Sequence, residues 1–134
     1  MTPARTSTRR IAAVHDLSGV GRVSLMVVIP ILSTMGFDVC PLPTAILSNH
    51  TQYPEYSILD LTDEMPKMIA GWKKLEIEFD AIYTVYLGSP RQIQIVSGFI
   101  DDFRREDTLI VVDPVLGDNG RHYAGMTKEM VLEM

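Results

Sequence analysis

Two carboxylates follow a predicted buried strand near the C-terminal end of the sequence. Asp113 and Asp118 lie five residues apart in a Gly-containing segment that follows the apolar run Thr108–Val111. Pro114 cannot donate to a sheet, so the strand is expected to end there. Ligands of open α/β sheets bind beyond the carboxyl ends of strands. The two acids could therefore hold a cation, order water or tune a phosphate site, and the alternative is a turn rich in Asp, Asn and Gly that only caps the strand.

Polar side chains also follow the other predicted strands. Asp16 and Ser18 lie in the glycine-containing segment after the first strand, and Tyr86 ends the third. Thr44 and His50 follow the second strand, in a polar connection that could grip a small ligand. Since parallel strands end at the same edge of a sheet, these positions predict one pocket. Tyr86 could pack against a flat ring there and still offer its hydroxyl.

The sequence gives weak support or none for other common nucleotide-binding, catalytic and metal-binding motifs. Gly19-x-Gly21 is a weak dinucleotide signal, because Ser24 replaces the third glycine and the second strand has no acid at its end. A tight strand-to-helix turn explains the glycine pair equally well. The sequence has no Walker-type phosphate loop and no Gly-x-Ser-x-Gly nucleophile elbow. The histidines lack metal-ligand spacing.

The elements that must position these residues alternate between strand and helix. Such alternation predicts βαβ units and a mainly parallel sheet, hence an α/β fold with helices flanking the sheet. The segment 43–59 is expected to be a long irregular connection. The predicted strands are 11–15, 37–42, 81–86 and 108–113. Four helices are predicted. The first spans 22–35, the second is capped by Asp60 or Thr62 and has an apolar stripe from Met65 to Phe79, the third starts at Pro90, and the fourth spans 127–134.

Local signals refine two of these helices. The helix 22–35 is apolar on most sides and is expected to be buried, with Pro30 kinking or shortening it and Gly36 as its C-terminal cap. Ser89, Pro90 and Gln92 give the next-to-last helix an N-cap, a proline at its first position and a capping-box glutamine.

Composition excludes several classes of protein. The 134 residues suit one domain, and a formal net charge of -5 argues against nucleic-acid binding. Residues 1–9 are expected to form a flexible tail ahead of a domain at 10–134. No run is long enough to span a membrane. The lone Cys40 cannot form an internal disulfide and is expected to be a buried thiol, which fits a cytoplasmic location.

Several segments together resemble the pyridoxal/pyridoxine kinase family, which has the ribokinase-like fold. They are the run from Thr44 to Tyr53, the run from Tyr86 to Ser89, and the run from Asp113 to Gly120 followed by Tyr123. The opening segment from Asp16 to Gly21 is more similar to bacterial members and to hydroxymethylpyrimidine kinases. The resemblance spans about residues 10–134 and implies a three-layer sheet flanked by helices. Val85 departs from the family, which often has glycine before the tyrosine.

The resemblance also implies an activity and site residues. The family transfers the γ-phosphate of ATP to the 5′-hydroxymethyl group of a B6 vitamer. ATP and Mg²⁺ are therefore the implied cofactors, with a monovalent cation as a further candidate. By resemblance, the vitamer site contains Asp16, Ser18, Gly19, Thr44, His50 and Tyr86, and the phosphate and metal site contains Asp113, Asp118 and Tyr123.

The sequence also departs from the family in what it contains. It has no Gly-Thr-Gly-Asp segment, which in the family carries the catalytic base and an anion hole. The chain is thus expected to be the N-terminal part of such a kinase, inactive alone. A hydroxymethylpyrimidine-type kinase and a non-catalytic binding protein remain alternatives. We expect pairing with a second copy or with the missing half, through an open sheet edge and the terminal residues Met130, Val131, Leu132 and Met134.

Overall fold

A five-stranded sheet, flanked by helices, organises the computed structural model, which describes residues 8–123 and 125–134. The order of the sheet is β3-β2-β1-β4-β5, with β3 antiparallel to β2 and the other neighbours parallel. The predicted mainly parallel α/β fold is confirmed. The elements are β1 (Arg10–Val20), α1 (Leu25–Thr34), β2 (Asp38–Asn49), β3 (Ile58–Asp60), α2 (Met65–Lys74), β4 (Ala81–Thr84), α3 (Pro90–Phe103), β5 (Leu109–Val112), β6 (Gly117–Asp118), β7 (Arg121–His122) and α4 (Lys128–Glu133).

An aromatic cluster forms the centre of the core. Phe79 lies just before β4, where its ring packs edge to face against Trp72 of α2 at a centroid distance of 5.5 Å. Phe99 and Phe103 of α3 complete the cluster, with their centroids 4.9 Å apart. Phe79 and Phe99 are almost completely buried. This cluster fixes α2 and α3 against the sheet, and therefore fixes the loop between β4 and α3 that carries Tyr86.

The second strand is much longer than predicted. β2 continues to Asn49 through residues that were expected to be irregular, and β3 also lies in that segment. The prolines Pro41 and Pro43 obscured the strand in the sequence because they cannot donate to a ladder. They are tolerated because β3 pairs only with residues 45–47 of β2, so the side of β2 away from β1 needs no strand hydrogen bond at either proline.

The first strand is also longer than predicted. Asp16, Ser18 and Gly19 were placed in a turn, but β1 runs on to Val20 and stays paired with β2 as far as Asn49. The turn before α1 is confined to the residues from Gly21, whose φ is 106°. The third and fourth strands, in contrast, match the prediction to within two residues at each end.

Helix α1 departs from the expectation of a buried helix. Among its residues only Leu25 is fully buried, and Met26 and Ile31 are largely exposed. The helix packs against β1 and β2 on one side only, so the described residues leave Met26 and Ile31 on its other side uncovered. Gly36 ends it with φ of 90°, as predicted for a C-terminal glycine, and Pro30 lies inside the helix, which starts only at Leu25.

The N-cap of α2 differs from the prediction, whereas the N-cap of α3 matches it. Neither Asp60 nor Thr62 caps α2, which is preceded by Glu64 without a side-chain cap. The Asp60 carboxylate instead accepts a bond from the Thr62 backbone. Ser89 caps α3 as predicted, accepting from the Gln92 backbone N–H at 3.2 Å.

The C-terminal residues differ in part from the prediction, and most of the predicted N-terminal tail lies outside the described residues. Of the terminal residues predicted to contact a partner, Met130 is buried and Met134 packs on the core, so they already have partners within the chain. Leu132 is 87% exposed, so it remains free to contact a partner chain, as predicted. The predicted tail 1–9 lies outside the described residues except for its last two, and the carbonyl of Arg9 already accepts from Asp38 of β2.

Candidate ligand-binding site

A cavity of about 600 Å³ opens at the carboxyl ends of the parallel strands. Its volume lies within the range of small-molecule sites. Asp16, Ser18 and His50 line it, as do Tyr86, Asp118 and Tyr123, so six of the nine predicted site residues come together. Its remaining lining residues are His15, Val23, Ser24, Ala45, Leu47, Thr51, Tyr56, Ile58, Val115, Arg121 and His122.

Asp16 lies at an irregularity of the sheet. His15 pairs with Pro43 and Leu17 pairs with Ile46, so two residues of β2 oppose Asp16 alone. Such bulges bend a strand and re-aim side chains, often beside functional sites. At Asp16 the backbone N–H donates to Nδ1 of His15 at 2.9 Å. The extra residue lies on β2, so it is β2 that bends beside Asp16.

The Asp16 carboxylate is buried but well compensated. Ser24 Oγ donates to Oδ1 at 2.8 Å, and Nδ1 of His15 lies 2.8 Å from the same oxygen. Burial alone would raise the pKa of Asp16, but the contacts of its carboxylate with His15 and Ser24 together hold it below its usual value. The site therefore presents a fixed negative charge to any ligand at neutral pH.

The glycines after Asp16 allow β1 and β2 to approach closely. A Cβ on Gly19 would lie 2.8 Å from the carbonyl oxygen of Ser48, and one on Gly21 would lie 2.9 Å from Cβ of His50. The backbone of His50 also donates to the carbonyl of Val20 at 2.8 Å. The glycine pair is thus explained by packing that brings His50 to the cavity, and Gly19 itself does not line it.

Two tyrosines form an aromatic wall. Tyr86 follows β4, and Tyr123 follows the β6–β7 hairpin, whose turn contains Asn119 and Gly120 with positive φ. Burial, then the charge of Asp16 and the neighbouring Tyr56, raise the pKa of Tyr86. Its phenol is therefore protonated at neutral pH and can donate a hydrogen bond. The wall can receive a flat heteroaromatic ring and bind one of its polar substituents.

Thr44 lies beneath the cavity, not in its lining. Its side chain is completely buried, and its Oγ1 has no hydrogen-bond partner among the described residues. Its carbonyl accepts from Nε2 of Gln92 at 3.0 Å, and the same Nε2 donates to Thr62. Oε1 of Gln92 accepts from the Gly88 N–H at 2.8 Å. Gln92 thus connects three parts of the fold, namely β2, Thr62 just before α2, and the loop that carries Tyr86.

The two acids that follow β5 lie in different surroundings. Asp118 lines the cavity and accepts from the Asn119 backbone at 2.8 Å. Asp113 is exposed outside the lining, where its charge adds to burial in raising the pKa of Tyr83. Within residues 8–123 and 125–134, no group of three His, Cys, Asp or Glu side chains is placed to hold a metal ion. A donor set of one or two carboxylates suits an ion that also binds phosphates and water, as Mg²⁺ does.

The structure adds residues that sequence reasoning missed. All three histidines of the sequence, though far apart along the chain, line the cavity. Ala45, Leu47 and Ile58 supply apolar lining from β2 and β3, which the sequence reading had taken for a connection. The short apolar run Ala45-Ile46-Leu47 was the available signal for a strand.

Comparison with known proteins links this geometry to one group of kinases. The pyridoxal kinase PdxY of Actinobacillus pleuropneumoniae is 31% identical over 109 residues, which are 76% of this chain and 38% of the relative. The pyridoxal kinase of Lactobacillus plantarum is 35% identical with a TM-score of 0.85, covering 96% of this chain and 45% of that one. The chain belongs to the pyridoxal kinase family. Its fold is the ribokinase-like fold of that family, of which it spans less than half the length.

A more similar solved structure comes from Bacteroides thetaiotaomicron. It is described as a "putative phosphomethylpyrimidine kinase", is 74% identical with a TM-score of 0.94, and covers 98% of this chain and 46% of that one. A second crystal form of the same description contains pyridoxal. The pyridoxal kinase of Leishmania donovani, at 24% identity and a TM-score of 0.84, shares the fold and was solved with ADP and pyridoxamine. No family model matches the chain.

Proposed function

We propose that this chain supplies the vitamer-binding part of an ATP-dependent kinase that phosphorylates the 5′-hydroxymethyl group of a B6 vitamer. The observation that carries the proposal is the cavity with its two tyrosines and buried Asp16, in a chain 76% identical to a protein crystallised with pyridoxal. In this proposal residues 10–134 form the vitamer-binding part of a ribokinase-like domain.

Each lining residue has a role in this proposal. Tyr86 and Tyr123 hold the pyridine ring, while Asp16, Ser18 and His50 bind its polar substituents. Thr44 and Gly19 support the site from below, Thr44 through Gln92 and Gly19 through its close approach to β2. Asp118, with Asp113 outside the cavity, binds Mg²⁺ that is carried by the phosphates of ATP.

Phosphoryl transfer depends mainly on positioning and charge neutralisation. The bond between the γ-phosphorus and its bridging oxygen breaks, a bond to the hydroxymethyl oxygen forms, and the hydroxyl proton passes to a general base. The 134 residues contain no Gly-Thr-Gly-Asp segment to supply that base. We therefore assign vitamer binding to this chain and transfer to a protein that also carries the base.

Further details of the proposal concern surroundings and partners. Exposed apolar side chains on α1, β3 and β5, with Leu132 on α4, favour pairing with a second copy or with the remainder of a kinase. The free Cys40 is consistent with a cytoplasmic protein. Among the described residues, no helix has the length and apolarity needed to cross a membrane. The net charge of -5 gives no support to nucleic-acid binding.

A hydroxymethylpyrimidine-type kinase is the second candidate, and the description of the Bacteroides relative favours it. Both substrates are flat heteroaromatic rings that carry a hydroxymethyl group. Calorimetric titration of the 134-residue chain with pyridoxal and with hydroxymethylpyrimidine separates the two. We expect tighter binding of pyridoxal, and tighter binding of the pyrimidine would favour the second candidate.

The same titration tests the location of the site. Tyr86→Phe should weaken pyridoxal binding about threefold to tenfold, the usual effect of losing one hydrogen bond. Tyr83→Phe is the matched control, because Tyr83 lies on β4 outside the cavity lining. Absence of binding to the wild-type chain would overturn the proposed function. Equal weakening by both variants would overturn the assignment to Tyr86.

A further inference from the structure

Ser24 has an unusual backbone for a serine. Its φ of 58° and ψ of −136° lie in a region that residues with a Cβ rarely occupy. It stands at the N-cap position of α1, where serine normally accepts a bond from a helix N–H. Here the side chain makes no cap bond. Ser24 therefore neither relaxes the backbone nor caps the helix, and its hydroxyl must be held by something else.

That partner is the carboxylate of Asp16. Ser24 Oγ donates to Oδ1 of Asp16 at 2.8 Å, and both residues line the cavity. Ser18 Oγ lies 3.5 Å from the other carboxylate oxygen, which is the outer limit of a hydrogen bond. The Ser24 bond is thus the shorter of the two hydroxyl contacts, and it comes from outside the sheet.

We propose that Ser24 is a positioning residue that fixes the Asp16 carboxylate toward the ligand, and that its strained, uncapped backbone is retained for this bond. The inference deepens the proposed function, on which it rests for the identity of the ligand. Strain retained at a ligand site is a recurring device for preorganisation. Ser24 acts only through Asp16 in this proposal.

Two substitutions separate positioning from a purely structural role. Ser24→Ala removes the hydroxyl and keeps the strained backbone, whereas Ser24→Gly removes both the hydroxyl and the strain. If the hydroxyl positions Asp16, the pKa of Asp16 should be higher in both variants than in wild type. Ser24→Gly should also have a higher melting temperature than Ser24→Ala, because only the glycine variant loses the backbone strain. Ser97→Ala, at an exposed position of α3, is the matched control and should leave the Asp16 pKa unchanged.

The decisive measurement is the carboxyl titration of Asp16 by NMR, assigned with Asp16→Asn, because it requires no ligand. The neighbouring groups that titrate or carry charge around the cavity are His15, His50, Tyr56, Tyr86, Asp118, Arg121, His122 and Tyr123. Their resonances are followed in the same series, so that a shift of Asp16 is not credited to a change in one of them.

Pyridoxal titration completes the experiment. We expect both Ser24 variants to bind about threefold to tenfold more weakly than wild type. An unchanged Asp16 pKa in both variants, or wild-type affinity in both, would overturn the role of Ser24. If wild type itself fails to bind pyridoxal while the Asp16 pKa rises in both variants, the vitamer assignment fails and the positioning of Asp16 by Ser24 stands.

Discussion

The rings of Tyr86 and Tyr123 meet edge to face, with centroids 6.4 Å apart and an interplanar angle of 86°. The two residues come from different parts of the fold, one after β4 and the other after the β6–β7 hairpin. The hairpin thereby closes one side of the cavity, and Gly117 permits its tight pairing, since a Cβ there would meet the carbonyl of Arg121. The aromatic wall thus depends on the hairpin as much as on the sheet.

Loss of the Tyr123 ring should weaken ligand binding without unfolding the chain. Tyr123→Ala removes an aromatic contact of about 0.5–1.5 kcal/mol, so pyridoxal should bind about twofold to tenfold more weakly. Calorimetric titration measures the change. Tyr53→Ala is the control, since Tyr53 is half exposed and lies outside the cavity lining. A Tyr123→Ala affinity equal to that of the control would contradict a wall function for this ring.

Gln92→Leu should be strongly destabilising. The substitution keeps the approximate size of the side chain but removes its bonds to Gly88, Thr44 and Thr62. A buried group left unpaired costs about 1–3 kcal/mol, so we expect a loss of about 2–4 kcal/mol in the free energy of unfolding. Urea denaturation measures it. Gln94→Leu, exposed on the same helix, should stay within about 0.5 kcal/mol of wild type, and similar losses in both variants would show that the buried network contributes little.

Apolar periodicity and turn residues predicted much of the sheet and helices. The strands at β4 and β5, the Ser89 cap and the Gly36 terminus follow from short-range chemistry, which a sequence displays directly. The long second strand could not be predicted in this way, because Pro41 and Pro43 normally exclude a strand interior. Only the three-dimensional arrangement shows that their outer sides need no strand partner.

The candidate site was predictable where its residues follow a strand end or match the family's motifs. Asp16, His50, Tyr86 and Asp118 were found by the first rule, and Tyr123 was found by the resemblance alone. Ser24 and Arg121 were not, because the approach of the α1 turn and of the hairpin to the cavity depends on tertiary packing. Thr44 was placed in the site by its neighbours in sequence, whereas the bulge opposite Asp16 leaves its hydroxyl buried below the cavity.

Gly19→Ala and Gly98→Ala should have opposite effects on stability. At Gly19 the new Cβ would lie 2.8 Å from the backbone oxygen of Ser48, which cannot move without separating β1 from β2. We expect a loss of about 1–3 kcal/mol, typical of overpacking, together with weaker pyridoxal binding. Gly98 lies within α3 with no atom within 4 Å of the new Cβ, so alanine there should add about 0.5–1 kcal/mol. Thermal melts of both variants measure the difference, and a neutral Gly19→Ala would contradict the close approach of the strands.

Asp16 should make the stability of the chain depend on pH in the acid range. Burial would raise its folded pKa, but the contacts of the carboxylate with His15 and Ser24 hold it below the ordinary value of about 3.9. A lowered folded pKa means that the unfolded state binds the proton more readily, so the stabilisation is complete above the unfolded pKa and is lost as pH falls through the folded pKa.

Urea denaturation at a series of pH values tests this dependence. Wild type should exceed Asp16→Asn in free energy of unfolding at pH 5, and the difference should shrink as the pH falls below about 4. Asp101→Asn, at an exposed position of α3, should give a curve parallel to wild type throughout. A difference between wild type and Asp16→Asn that stays constant down to the acid limit of folding would mean that the Asp16 carboxylate gains nothing from its partners in the folded chain.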